Sequence, residues 1–212
     1  MKRRHLLLHC SAWASSFAVP GLVQATSLPT LLVVGDSLSA EYGLPRGQGW
    51  VALLEARLKQ PGQKPYAVVN ASISGDTTSG GRARLGALLN RHKPRLVIIE
   101  LGGNDALRGL PLASTRENLS AMTKAAKASG AKVLLLGMQV PPNYGAAYGR
   151  EFAGLFSQVA ADQKTALLPF LLKNVADRAD AGDWFQPDRI HPLARAHPLM
   201  LDNVWPVLLP LL

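Results

Sequence analysis

The chain has 212 residues, of which 48% are hydrophobic and 17% are charged, and its formal net charge is +9. This composition is typical of a globular protein with one sizeable core, and it excludes an intrinsically disordered chain. After the N-terminal region, no apolar run reaches the roughly 18 residues that a membrane-spanning helix needs. The basic residues are spread out and are not interleaved with aromatic residues, so the sequence does not favour nucleic-acid binding.

The N-terminal segment is predicted to be a signal peptide. Three cations at positions 2 to 4 precede a moderately apolar stretch from Leu6 to Val19. Small residues ending at Ala25 suit cleavage by a signal peptidase. The paired arginines leave the export route open between general secretion and the twin-arginine pathway. We therefore expect a leader over residues 1–25, one domain over residues 26–212, and a periplasmic or secreted protein.

The predicted mature domain has no thiol, because the single cysteine, Cys10, lies in the leader. This excludes disulfide bonds and a cysteine nucleophile. Removing the leader also removes three basic residues and no acidic one, which leaves a net charge of about +6. We interpret this charge as that of a solvated surface, with contact to anionic lipid head groups or to acyl carriers as the alternative. We expect the protein to be a monomer.

Short apolar runs alternate with longer amphipathic segments along the domain. The runs are bounded by turn residues and are predicted strands: Thr30–Val34, Ala67–Asn70, Leu96–Leu101, Val133–Leu136 and Ala166–Leu168. The longer segments are predicted helices: Gly49–Lys59, Thr78–Arg91, Thr115–Ser129, Tyr148–Gln163 and Leu193–Leu208, the last bent or broken by its prolines. This alternation predicts an α/β fold with a parallel sheet between two helical layers.

Chemically capable side chains follow the predicted strands. In α/β sheets, ligands bind beyond the carboxyl ends of the strands, so these segments are expected to meet at one edge. The segments are Gly35–Ser39, Asn70–Asp76, Gly102–Asp105 and, before the last helix, Asp188–Pro192.

Ser37 and His191 are the candidate nucleophile and base. A serine hydroxyl needs a neighbouring base, and histidine is the usual one because its unperturbed pKa is about 6.5. Asp188 precedes His191 by three residues, so a helical turn or tight loop would put both side chains on one side, where the carboxylate can orient the ring. Alone, this spacing is more often that of a solvated surface pair or a helix cap. His92 and His197 have no obvious partner in the sequence and are interpreted as structural or solvated.

Acyl transfer also needs donors for an oxyanion. Gly75 can offer an unobstructed backbone N–H, Asn104 a side-chain amide, and Ser37 its own backbone N–H. Taken singly, Gly75 is more typical of a turn and Asn104 of a turn or helix cap. Their common place at one predicted sheet edge favours the functional interpretation.

Four ordered blocks of this sequence resemble those of the SGNH (GDSL) hydrolases. The resemblance spans about residues 30–210, and it is closest to the periplasmic multifunctional acyl-CoA thioesterase, lysophospholipase and arylesterase branch. The blocks are Gly35–Ser39, Ile73–Thr77, Leu101–Asp105 and Asp188-x-x-His191-Pro192. The branch is indicated by Val69–Thr77, Glu100–Gly109, Pro142–Gly145 and Leu168–Phe170.

The resemblance implies a flavodoxin-like three-layer α/β/α sandwich with five parallel strands, and hydrolysis of acyl esters and thioesters without cofactor or metal. It implies that Ser37, Asp188 and His191 form the triad. It implies that Ser37, Gly75 and Asn104 form the oxyanion hole. Asp36, beside the nucleophile, is interpreted as a supporting residue.

One position departs from the family pattern. The first block often continues with glycine or alanine before the tyrosine, whereas this chain has Glu41 before Tyr42. If the position needs a positive φ, glutamate is a strained choice there. We expect the segment to be reshaped or the entry of substrate to be altered.

The substrate class rests on the segment after the fourth strand and on the residues that follow Asn104. Leu107, Leu110, Pro142 and Tyr144 are predicted to line an acyl groove, with loop packing as the alternative. The expected substrates are acyl-CoA, lysophospholipids and aryl esters. The alternatives are a carbohydrate O-deacetylase, a flavodoxin-like nucleotide or flavin binder, whose glycine spacing is missing here, and a catalytically inactive interaction protein.

Overall fold

A computed structural model describes residues 28–212, so the predicted leader and Cys10 lie outside the described residues. The described part contains one parallel sheet in the order β2-β1-β3-β4-β5. Its strands are β1 (Thr30–Gly35), β2 (Ala67–Asn70), β3 (Leu96–Glu100), β4 (Lys132–Leu136) and β5 (Ala166–Leu168). The predicted number and direction of strands are confirmed, and each predicted boundary lies within one residue of the observed one.

Six α-helices are found in the same part of the chain. They are α1 (Trp50–Leu58), α2 (Thr78–His92), α3 (Gly103–Leu107), α4 (Leu112–Ala128), α5 (Ala146–Gln163) and α6 (His197–Leu208). Short 3₁₀ helices cover Pro142–Tyr144, Ala181–Trp184, Ala194–Ala196 and Leu209–Leu211. Among residues 28–212, no helix combines the length and the apolar character needed to cross a bilayer.

The helices form a layer on each face of the sheet. Helices α2, α4 and α5 lie side by side against one face, while α1 and α6 pack together on the other. The inner strands β1, β3 and β4 are buried almost along their whole length, whereas the edge strands β2 and β5 are shorter and partly exposed. Continuous burial on both faces explains why the inner strands are unbroken runs of Val, Ile and Leu.

The strand order reverses direction beside β1. The chain leaves β1 for β2 on one side and then crosses to β3 on the other side. At such a reversal, the loops that follow the two central strands diverge and open a crevice at the carboxyl edge. Ser37 follows β1 and Asn104 lies on α3, which follows β3, so both belong to the two segments that flank this reversal.

Three helical features differ from the sequence-based expectation, and one is that α4 begins at Leu112, three residues before the predicted start at Thr115. Helix α3 was not predicted, because five residues are too few to show a helical period. The last helix begins at His197 instead of Leu193, since Leu193 is extended and a 3₁₀ turn follows it. Pro198 occupies the first turn of α6, where its missing N–H costs nothing. Pro206 lies inside the helix, which continues to Leu208.

Candidate active site

The candidate nucleophile lies on a tight turn directly after β1. The Asp36 carbonyl accepts hydrogen bonds from the amides of Ser39 and Ala40, and the Asp36 carboxylate accepts one from Leu38. These contacts reverse the chain immediately after the strand and leave Ser37 partly exposed at the edge of the sheet. Gly35 is needed before the turn, because a Cβ atom there would lie 2.7 Å from Glu100 Oε2.

Asp188, His191 and Ser37 form a hydrogen-bonded row across segments that are far apart in the chain. Asp188 Oδ2 lies 2.7 Å from His191 Nδ1, and His191 Nε2 lies 2.8 Å from Ser37 Oγ. With the proton on Nδ1, the Nε2 lone pair faces the serine hydroxyl. This is the arrangement in which an imidazole can take the serine proton.

The other oxygen of Asp188 shapes the loop. Asp188 Oδ1 accepts hydrogen bonds of 3.0 Å from the amides of Ile190 and His191. Partial burial raises the pKa of Asp188, but the bonds from the His191 ring and from these two amides outweigh burial and lower the pKa to about 2. The carboxylate is therefore ionised at any working pH. The tight-loop form of the predicted Asp–His pair is the one found, with Arg189 in the left-handed conformation at φ 57°.

The loop that bears His191 is held by hydrogen bonds on both sides. The Gln186 amide donates to the His191 carbonyl at 2.7 Å, and the Leu193 amide donates to the Trp184 carbonyl at 2.8 Å. The side-chain amide of Gln186 reaches the Pro192 carbonyl at 3.3 Å and the Tyr42 carbonyl at 3.0 Å. Gln186 therefore ties the loop that bears the histidine to the segment that follows the nucleophile. Sequence reasoning missed it, because nothing in the local pattern marks a glutamine as a bridge.

Two backbone amides are free to bind an oxyanion. Within residues 28–212, the N–H groups of Ser37 and Gly75 donate to no protein acceptor. Gly75 has φ 79°, a conformation that favours glycine. Its carbonyl accepts a 2.7 Å bond from Arg108, which ties the Gly75 turn to the end of α3. Both amides are available at the edge where the sequence predicted them.

Asn104 makes two hydrogen bonds in this structure. Its Nδ2 donates to Asp36 Oδ2 and to the Asp76 carbonyl, each at 3.0 Å. It lies on α3 instead of a loop, and the neighbouring Asp105 anchors that helix by accepting from the amide and hydroxyl of Thr78. To donate a hydrogen bond to an oxyanion, Asn104 Nδ2 would have to share or give up its bond to Asp36 Oδ2 or its bond to the Asp76 carbonyl.

Asp36 and Glu100 form a buried pair of carboxyl groups next to the turn that bears Ser37. Glu100 Oε2 accepts from the Ser39 hydroxyl at 2.8 Å and from the Asp36 amide at 3.2 Å, whereas Oε1 has no hydrogen-bond partner among residues 28–212. Burial, and then the charge of Asp36, raises the pKa of Glu100 well above its usual range. Burial also raises the pKa of Asp36 to about 6, against the opposing effect of the bonds from Leu38 and Asn104. The sequence indicated Asp36 as a supporting residue. It did not indicate that role for Glu100, the last residue of the otherwise apolar strand β3.

The four predicted groove residues are on the surface beside these loops. Leu107 and Leu110 are 39% and 37% exposed, and both flank the segment that Arg108 ties to Gly75. Pro142 and Tyr144 belong to the 3₁₀ helix after β4. Between Tyr144 and the Gly102 turn runs a row of aromatic rings: Tyr144, Tyr148, Phe152 and Phe156.

His197 has a partner that the sequence did not reveal. Its Nδ1 accepts a 3.0 Å bond from the amide of Trp50, the first residue of α1. The side chain is buried, and burial lowers the pKa of His197 to about 4, although the Pro192 carbonyl and Glu41 act in the opposite direction. His197 is therefore neutral and structural, as one of the two alternatives predicted. Among residues 28–212, no three metal-binding side chains converge.

Several known proteins are similar to this chain over most of its length. Esterase TesA of Pseudomonas aeruginosa is 56% identical over 191 residues, which is 90% of this chain and 93% of the relative. Thioesterase 1/protease 1/lysophospholipase L1 of Escherichia coli is 41% identical over 84% of this chain and 83% of its own length. A crystal structure of TesA superimposes with a TM-score of 0.82 at 57% identity, covering 86% of this chain and 99% of that one. The superposition confirms the predicted three-layer fold.

The family match covers the whole site. Residues 33–199 match the GDSL-like Lipase/Acylhydrolase family, a span that includes Ser37, Gly75, Asn104, Asp188 and His191. This match decides against the nucleotide-binding and inactive alternatives. The chain belongs to the GDSL-like lipase/acylhydrolase family of ester hydrolases.

Proposed function

We propose that the protein hydrolyses acyl esters and thioesters through an acyl-serine intermediate formed on Ser37. His191 is the general base, and Asp188 holds its tautomer and orientation. The observation that carries the proposal is the continuous row of hydrogen bonds, 2.8 Å from Ser37 to His191 and 2.7 Å from His191 to Asp188. Such a row is what a weak hydroxyl nucleophile requires.

The first half of the reaction acylates the enzyme. Ser37 Oγ adds to the carbonyl carbon while Nε2 of His191 takes the hydroxyl proton, and Asp188 stabilises the imidazolium. The tetrahedral oxyanion then collapses, and the bond to the leaving alcohol or thiol breaks. His191 returns the proton to the leaving group. The acyl-serine and a free alcohol or thiol remain.

The second half regenerates the serine. A water molecule gives a proton to His191 Nε2 and attacks the acyl carbon. Collapse of the second tetrahedral intermediate releases the carboxylic acid, and Ser37 recovers the proton from the imidazolium. No further reactant is needed, so the cycle closes with the side chains of the triad and water.

The oxyanion is stabilised by the amides of Ser37 and Gly75 and by the side chain of Asn104. Support comes from the two backbone N–H groups that have no protein acceptor in the described part of the chain. Asn104 joins them by giving up a bond to Asp36 or to the Asp76 carbonyl. Losing one such donor typically costs about 10²–10³ in kcat.

The proposed substrates are small acyl compounds: acyl-CoA thioesters, lysophospholipids and aryl esters. The acyl chain would lie along Leu107, Leu110, Pro142 and Tyr144. Support comes from where the exposed large apolar side chains lie, since most are in segments that carry the site or the predicted groove. These are Tyr42, Ile73, Leu107, Leu110, Tyr144 and Ile190. The names of the relatives, an esterase and a thioesterase/lysophospholipase, agree with this class.

Export completes the proposal. The leader over residues 1–25 would be removed after Ala25, so the domain over residues 26–212 would act as a monomer in the periplasm or outside the cell. Its positive charge would favour anionic lipid surfaces where lysophospholipids occur. N-terminal sequencing of the exported protein should begin at Thr26, and recovery of the uncleaved chain from the cytoplasm would contradict this expectation.

Substitution of the nucleophile tests the function. Ser37→Ala should lower the kcat for p-nitrophenyl butyrate by at least about 10³, because no other group replaces the lost oxygen nucleophile. Ser114→Ala is the matched control, since Ser114 is exposed at the start of α4. Melting temperatures should match in both variants and the parent. Substantial turnover by a folded Ser37→Ala protein would contradict the proposal.

A further inference from the structure

Glu41, the residue that departs from the family pattern, has an unusual backbone and closes its own loop. Its φ is 59°, the left-handed conformation that favours glycine. Its carboxylate Oε1 accepts hydrogen bonds from the amides of Gly47 at 2.9 Å and Gly49 at 2.8 Å. Two charge-assisted bonds offset the strain of the backbone. The strained position predicted from sequence is confirmed, and the structure supplies its compensation.

The Glu41 side chain packs closely against the backbone at Gly49. A Cβ atom at Gly49 would lie 2.5 Å from Glu41 Cγ, so the second glycine is needed for the approach. Gly49 directly precedes α1, whose first amide is bound by His197. Glu41 thus anchors a loop that runs from the nucleophile turn to the start of α1. We call residues 41–49 the Glu41 loop.

The Glu41 loop contacts the candidate base. The ring of Tyr42 lies against that of His191, with centroids 4.3 Å apart and planes inclined at 38°. The Tyr42 carbonyl accepts the bond from Gln186, and a side chain at Gly43 would collide with Gln186 at 2.2 Å. The backbone of Tyr42 is therefore held by Gln186 on one side and by the Glu41 loop on the other, while its side chain is 49% exposed and meets His191 on one face.

We propose that Glu41 is a positioning residue that sets the orientation of the His191 ring through Tyr42. The inference rests on the proposed function, in which His191 is the base. Asp188 binds one ring nitrogen, and the Tyr42 ring occupies one face of the imidazole, so rotation that would move Nε2 away from Ser37 is opposed. Proton transfer depends steeply on that alignment, so loosening the loop reduces the rate of the chemical step.

Substituting Glu41 distinguishes positioning from simple stability. Glu41→Gly suits the backbone but removes both carboxylate bonds, and we expect kcat for p-nitrophenyl acetate to fall about tenfold with KM unchanged. Glu41→Gln keeps an oxygen acceptor and should remain within about threefold of the parent kcat. Lys93→Gly is the matched control, because Lys93 also has a positive φ, 43°, at the end of α2. It should leave kcat unchanged.

A double-mutant cycle tests the path through Tyr42. If Glu41 acts through that ring, Glu41→Gly should have little further effect on kcat in a Tyr42→Ala background. An undiminished loss in that background would overturn the inference, and so would a parent-like kcat for Glu41→Gly alone. Ser37→Ala is measured alongside: its failure to abolish turnover would refute the proposed function itself, whatever the Glu41 variants do. Circular dichroism of each variant confirms that the fold is retained.

Discussion

At the scale of single residues, Asp188 uses its two oxygens for two different tasks. One oxygen orients the His191 ring, and the other binds the amides that shape the loop. The sequence could predict the first task from the spacing of Asp188 and His191. It could not predict the second, because backbone amides carry no sequence signal.

This division predicts the behaviour of Asp188→Asn. The asparagine oxygen can still accept from the loop amides, but its NH₂ group faces Nδ1 and forces the proton onto Nε2. Nε2 then no longer accepts from Ser37, and we expect kcat to fall by about 10³–10⁴ while the melting temperature stays close to that of the parent. Steady-state kinetics on p-nitrophenyl butyrate measure this loss. A variant that keeps most of its kcat would show that the ring does not depend on Asp188.

At the scale of elements, continuous apolar runs predicted the strand boundaries more accurately than helical periodicity predicted the helix boundaries. Each strand lies within one residue of its predicted range, since burial on both faces leaves a continuous signal. Helix α3 was missed because it is shorter than the window in which a helical period can be seen. The tie between α6 and α1 was also missed, because His197 and Trp50 are 147 residues apart and each looks ordinary alone.

The burial of His197 predicts a stability change in acid. The pKa of His197 is about 4 in the folded protein, below the ordinary 6.5. The unfolded chain therefore binds the extra proton first, and the contribution of neutral His197 is complete above pH 6.5 and is lost as the pH falls to about 4. The lost free energy of unfolding is roughly 3 kcal/mol. Urea unfolding at several pH values measures it as the difference between the parent and a variant that does not titrate at this position, because the raised pKa values of Asp36 and Glu100 also make the parent's stability depend on pH.

His197→Asn isolates this contribution. The asparagine oxygen can accept from the Trp50 amide and does not titrate in this range, so the variant should show a shallower decline of unfolding free energy between pH 6.5 and 4. Carboxylate groups contribute equally to both proteins and cancel in the difference. Parallel declines in parent and variant would show that His197 is not the group responsible.

At the scale of the whole molecule, strand order determines which loops can meet. The reversal beside β1 places the segments after β1 and β3 next to each other at one edge of the sheet, and the loop before α6 brings His191 to Ser37 across 154 residues of sequence. The alternation of elements predicted a parallel sheet, and the family resemblance supplied the identity of the residues that meet. Contacts such as Glu100 with Asp36 and Gln186 with Tyr42 depend on tertiary packing, so one sequence could not reveal them.

The positions of the exposed apolar side chains predict that the enzyme selects substrates by the length of their acyl chain. Leu107→Ser combined with Leu110→Ser should lower kcat/KM for p-nitrophenyl decanoate about tenfold and leave the acetate ester unaffected, because only a long chain reaches these side chains. Leu209→Ser is the matched control, since Leu209 is 49% exposed and lies in the 3₁₀ helix that follows α6. Equal losses on both esters would place the acyl chain elsewhere.

The most direct test of the central claim is to locate the covalent adduct of an organophosphate. The parent protein is treated with diethyl p-nitrophenyl phosphate, and intact-mass measurement is followed by peptide mapping. The account predicts one diethylphosphoryl group per chain, attached to Ser37, with complete loss of activity and no adduct in Ser37→Ala. Inactivation with the phosphoryl group on any other residue would contradict the assignment of Ser37 as the nucleophile.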